Sequence, residues 1–142
     1  MIGLMIAAAL AQGAAEPTDP CNSIARVAAP GPGCPGWRLV RRAEEGDGYV
    51  DPSSVRRDGT NVEIMLRTVF NRPLAGGARI LNARIRLDCA ARTKTVVHLS
   101  AWDENGGRIF EAPVTTDRTA RPAPGTPYAQ VLDEFCGTAT GA

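Results

Sequence analysis

An excess of charge of one sign is missing from this sequence: 16 Lys and Arg residues stand against 15 Asp and Glu, a formal net charge of +1. A dedicated nucleic-acid binder carries a marked basic surplus to displace phosphate counterions, so that class is excluded. Histidine is reduced to His98, and no two of the 4 cysteines have the close spacing of a zinc-binding pair, so no metal site is expected. The glycine pairs Gly76-Gly77 and Gly106-Gly107 lack the strand-to-helix setting of a phosphate loop; they suit hairpin tips, and no cofactor is expected. Long apolar runs are also missing. The best stretch, Ile2 to Leu10, falls well short of the ~20 residues that a membrane helix requires. No internal repeat is visible, and 142 residues suit a single domain with a small core.

What is present speaks first about compartment. The run Ile2 to Leu10, ending in the small-x-small triplet Ala9-Leu10-Ala11, reads as a signal peptide over residues 1–11. Four cysteines, Cys21, Cys34, Cys89 and Cys136, form an even set, which in a short exported chain reads as a disulfide framework. Three pairings are open to four cysteines. Pro30-Gly31-Pro32-Gly33 eases closure of a local Cys21–Cys34 loop, leaving Cys89 for Cys136. Cys21 follows Thr18-Asp19-Pro20, a rigid and charged lead-in unlike a lipoprotein signal, so no lipid anchor is expected.

Residues 12–36, rich in Ala, Pro and Gly, are expected to be irregular and held down only by their own bridge. From Trp37 the text turns to short apolar runs between turn signals. Strands are expected over Trp37–Arg42 and Tyr49–Val55, the second bent or at an edge because of Pro52. Asp58-Gly59 signals a two-residue hairpin loop. Val62, Ile64, Leu66, Thr68 and Phe70 then alternate with Glu63, Met65, Arg67 and Val69. The clearest alternation sets Leu81, Ala83, Ile85, Leu87 and Cys89 against Asn82, Arg84, Arg86 and Asp88. Thr95–Trp102 and Ile109–Val114 complete the strands. The period then changes: Tyr128, Val131, Leu132 and Phe135 make one helical stripe, with Thr126 as N-cap, Pro127 at the first position and Gly137 just past the end. The expected architecture is α+β, an antiparallel sheet with one C-terminal helix bolted to its fourth strand through Cys89–Cys136.

In order and spacing, Trp37, the run Tyr49-Val50-Asp51-Pro52-Ser53-Ser54-Val55-Arg56, Gly59, the strand end Asp88-Cys89 and the helix end Phe135-Cys136-Gly137 resemble the surface-adhesin protein E family. The resemblance covers roughly residues 37–137, leaving 138–142 as a tail. It implies a six-stranded antiparallel sheet carrying the C-terminal helix, the Cys89–Cys136 bridge, and a small exported domain of a Gram-negative bacterium. Its namesake is an adhesin for host matrix and serum proteins. The chain departs from the family pattern in its extra Cys21/Cys34 pair and its lack of a lipid-anchoring cysteine, which favours a periplasmic or secreted protein.

No catalytic frame surrounds His98, Ser53, Ser54 or Ser100, and the paired carboxylates Glu44-Glu45 and Asp133-Glu134 suit solvated surface. The leading expectation is a non-enzymatic interaction module touching envelope or host proteins. Arg84 and Arg86, with Arg67 and an exposed Trp102, would line its open sheet face and receive carboxylate-bearing partners. Two other readings stand beside it: a small hydrolase or ligand-sequestering domain around Asp51, Ser54 and His98, and a structural accessory of an envelope complex.

Overall fold

Alternation with a period of two builds six strands, and the computed structural model, which describes residues 18–138, pairs them in chain order into one antiparallel sheet. The strands are β1 (Arg38–Arg42), β2 (Gly46–Asp58), β3 (Asn61–Phe70), β4 (Ile80–Asp88), β5 (Thr93–Trp102) and β6 (Arg108–Pro113). The β5–β6 hairpin turns at Gly106 as its sequence signals, whereas β4 and β5 are joined through Arg92, a non-glycine residue with φ 58°. The β2–β3 loop is a useful correction, because Asp58 still pairs with Asn61 and the two loop residues are Gly59 and Thr60. Gly59 alone takes a positive φ, 60°, as glycine at the first central position of a II′-type turn does.

Pro52 bends β2 as expected. The ladder with β3 breaks between Asp51 and Arg56. Asp51 Oδ1 accepts from the Ser53 amide at 3.0 Å and its hydroxyl at 2.6 Å, an Asx turn. The Ser54 hydroxyl then accepts from the Met65 amide at 2.9 Å, restoring a backbone bond that the bulge would have lost.

The C-terminal helix, Pro127–Cys136, starts and stops as its sequence dictates. Thr126 caps it by accepting from the Ala129 amide, Pro127 sits in the first turn, and Gly137 leaves with φ 83°. Its stripe buries Val131 and Leu132 against Val40, Val50, Val62, Ile64, Leu66, Ala83, Ile85, Leu87 and Val96 of the sheet. Burying each large apolar side chain contributes roughly 1.5–3 kcal/mol, so this layer is the main source of stability. Close approach at the helix start depends on Gly48, where a Cβ would lie 2.8 Å from the Pro127 ring. The helix end is tied by the Cys89–Cys136 bridge, whose Cα atoms are 5.1 Å apart. Arg92 adds bonds to Asp133 and the Gly137 carbonyl, and Arg57 donates to the Phe135 carbonyl at 3.0 Å. Positive charge there complements the exposed carbonyls of the helix terminus.

The opposite face departs from expectation. From Thr18 onward the N-terminal segment is laid against the sheet as a strap, with a 3₁₀ turn at Pro20–Asn22 and a helical turn at Ala25–Ala28. The Asp19 and Ile24 amides donate to the carbonyls of Gly106 and Glu104, at 2.8 and 3.0 Å. Gly106, with φ 85°, is the contact that only glycine permits, since a Cβ there would fall 2.3 Å from the Asp19 carbonyl oxygen. The Cys21–Cys34 bridge closes the strap on itself, Cα to Cα 5.4 Å. The expected signal peptide at residues 1–11 lies outside the described residues. Among the described residues no helix is long and apolar enough to cross a membrane.

Candidate functional site

Register decides which polar residues share the second face. One transverse row runs Tyr49, Arg67, Asn82, Ser100, Glu111; the next runs Asp51, Met65, Arg84, His98, Pro113; the last runs Arg56, Glu63, Arg86, Thr95. The rows meet different fates. The strap covers the sheet at Arg67 and Asn82, while Arg84 and Arg86 in the next rows are left exposed.

Arg67 is 1 % exposed, and every part of its fork is used. Nε donates to Asn82 Oδ1 at 2.8 Å, Nη2 to Asn22 Oδ1 at 2.5 Å and Nη1 to the Cys21 carbonyl at 3.4 Å. Asn82 Nδ2 also donates to Asn22 Oδ1, at 2.8 Å, and the Trp37 ring lies 4.2 Å from the guanidinium carbon. Burial pushes the Arg67 pKa down to about 10, while the charges of Asp19 and Asp51 pull it upward. It remains charged at neutral pH, and a hydrogen bond from each of its three nitrogens is what makes a buried guanidinium tolerable. Trp102 is buried too, its indole N–H donating to the Ser100 hydroxyl at 2.9 Å. Arg67 and Trp102 therefore do not stand on an open surface, as their alternation had implied; both belong to the covered half.

Arg84 and Arg86 are where the periodicity puts them, exposed and pointing to solvent. Their side chains are 51 % and 52 % accessible. Glu63 stands between them, Oε1 3.6 Å from Arg84 Nε and Oε2 3.7 Å from Arg86 Nη2. Two shallow hollows flank this carboxylate, of about 220 Å³ and about 290 Å³, and Arg56 borders both. The sequence marked Arg56 only as the end of the family-like run, because only the β2 bend and the register beyond it bring it beside Glu63. A larger hollow of about 510 Å³ lies at the hairpin tips between Glu44-Glu45 and Arg72-Pro73-Leu74, and shares no lining residue with the two beside Glu63.

The candidate trio Asp51, Ser54 and His98 is not assembled. Asp51 and His98 share a row but are separated by β3 and β4, three strand spacings or about 14 Å of sheet. Asp51 and Ser54 are spent on the β2 bend, and His98 Nε2 lies 3.4 Å from Glu111 Oε2 on the neighbouring strand. Such an arrangement holds a turn and a polar contact between neighbouring strands; it does not activate a nucleophile. No cluster of His, Cys, Asp and Glu that could hold a metal ion occurs among the described residues.

Comparison with known proteins bears on this architecture. A match to the family described as surface-adhesin protein E spans residues 37–137. A structure of Haemophilus influenzae protein E is 22% identical and superposes with a TM-score of 0.54, covering 75% of this chain and 88% of that one. Crystal form II of the same protein gives 18% identity and a TM-score of 0.52 over 68% and 91% of the two chains. Protein E from non-typeable Haemophilus influenzae gives 20% and 0.53 over 73% and 78%. Identities this low speak to the fold alone. No curated protein matches the chain.

Proposed function

Because this chain belongs to the surface-adhesin protein E family, we propose that it is a non-enzymatic binding module of the bacterial envelope, meeting envelope or host proteins through the bare half of its second sheet face. One observation carries the reading. The two halves of that face carry polar side chains in the same alternation, yet one half is sealed by the strap and the other presents Arg56, Arg84 and Arg86 to solvent. Exposed arginine on a rigid sheet is a means of recognition, since its planar fork engages carboxylates with defined geometry. The signal-like N-terminus and the two disulfides support an oxidising compartment, periplasmic or secreted, as its location.

The test is a binding assay with the oxidised protein immobilised, comparing the wild type with the double variant Arg84→Ala/Arg86→Ala on host cells and on envelope extract. Reduced capture is expected from the variant, with both disulfides and the circular dichroism spectrum intact. Equal capture would remove this face from the function.

A further inference from the structure

The inference rests on the reading of the bare half-face as the contact surface, and it specifies what that surface recognises. Arg84 and Arg86 are two residues apart on β4, so they project from the same side with their Cα atoms roughly 7 Å apart. Glu63 is shared between them at 3.6 and 3.7 Å, well beyond the ~2.7–2.9 Å of a charge-assisted hydrogen bond. Neither fork is closed on it. Arg56 lines the hollows on both sides of Glu63, and Asp58 borders only the outer one. Arg56, Arg84 and Arg86 thus surround Glu63, with Asp58 at the outer hollow and Asp88 two residues beyond Arg86 on the same face of β4.

We propose that Glu63 is a placeholder for a ligand carboxylate, and that the ligand is an extended acidic segment of a partner protein lying along β4. In an extended chain, alternate residues project to one side at the same roughly 7 Å repeat. A segment with carboxylates on alternate residues therefore sets one on each of Arg84 and Arg86 while Glu63 swings toward solvent. Until then Glu63 shields both arginines from stray anions, and a ligand must displace it. A sulfated polysaccharide would feel the same charges, but it needs a denser basic patch than three arginines interleaved with acids.

An NMR titration of the oxidised chain with a short peptide alternating Asp and Thr tests this. Saturable shifts are expected on the β4 amides and on the Arg84 and Arg86 Nε–H groups. Arg84→Ala/Arg86→Ala should weaken binding roughly tenfold, the product of two exposed ion pairs worth a few-fold each. Glu63→Gln should tighten it. Arg84→Lys/Arg86→Lys, which keeps the charge and loses the forks, should fall between wild type and the alanine variant. The idea is overturned if Glu63→Gln binds no better, if the lysine variant binds as well as wild type, or if a peptide with two Thr between successive Asp binds equally. Binding of a heparin oligosaccharide without binding of the alternating peptide would overturn it as well. Loss of capture in the alanine variant with no peptide binding would remove only the acidic ligand. Undiminished capture would remove the contact surface itself.

Discussion

The two faces of this sheet are covered in different ways. On one, a ten-residue helix lays Val131 and Leu132 on an apolar floor. On the other, the strap lays Asn22 on Arg67 and Asn82, and that buried contact is made by polar side chains through hydrogen bonds. Each cover carries a disulfide, but the bridges do different work. Cys89–Cys136 joins the helix to the sheet, whereas Cys21–Cys34 closes the strap on itself. The difference shows two routes to burial. Apolar burial is non-directional and tolerates small shifts, while a buried guanidinium is viable only with nearly every donor matched.

That contrast can be broken at several points. The largest effect is expected from the bridges. Replacing Cys89 and Cys136 by Ala opens a loop of sequence separation 47 and should cost about 4 kcal/mol, against about 3 kcal/mol for the Cys21/Cys34 pair at separation 13. Chemical denaturation measures both costs. Dye binding sharpens the comparison, because a freed helix uncovers an apolar floor and a freed strap uncovers a mostly polar one. The helix-side variant should bind a hydrophobic dye strongly and the strap-side variant weakly; equal binding would show that the two covers are not different in kind.

A smaller loss is expected from Asn22→Ala. It leaves Arg67 Nη2 and Asn82 Nδ2 without their shared acceptor, at roughly 1–3 kcal/mol. Faster amide exchange in residues 18–28, with the helix unaffected, would mark the loss as local to the strap. If exchange rose equally in the helix, the two covers would be one cooperative unit.

The smallest effect concerns pH on the helix side. Burial first, and then repulsion by Asp117, raise the Tyr128 pKa above its ordinary 10.0. Folding therefore favours the neutral phenol. Its contribution is complete below pH 10, and above that the unfolded chain releases its proton first, so stability falls as pH rises. Tyr128→Phe should flatten this alkaline decline in thermal melts between neutral and alkaline pH. A decline unchanged in the variant would assign it to another group.

Much of this molecule was legible in the text because its signals are local. Strand alternation, the cap at Thr126, the stop at Gly137 and the helical stripe each need only a few neighbouring residues, and a core built on them follows from the hydrophobic effect. The pairing of Cys89 with Cys136 was legible too, since Pro30-Gly31-Pro32-Gly33 favours closing Cys21 on Cys34 and alternation puts Cys89 on the core side. Only the tertiary structure decided the second face. Alternation marks Arg67, Asn82, Arg84 and Arg86 alike as polar and outward, and nothing local separates them. What separates them is Asn22, distant in sequence, which reaches Arg67 and Asn82 but neither Arg84 nor Arg86. Whether a polar side chain is buried depends on whether its hydrogen bonds are met, and its partners here come from another part of the chain.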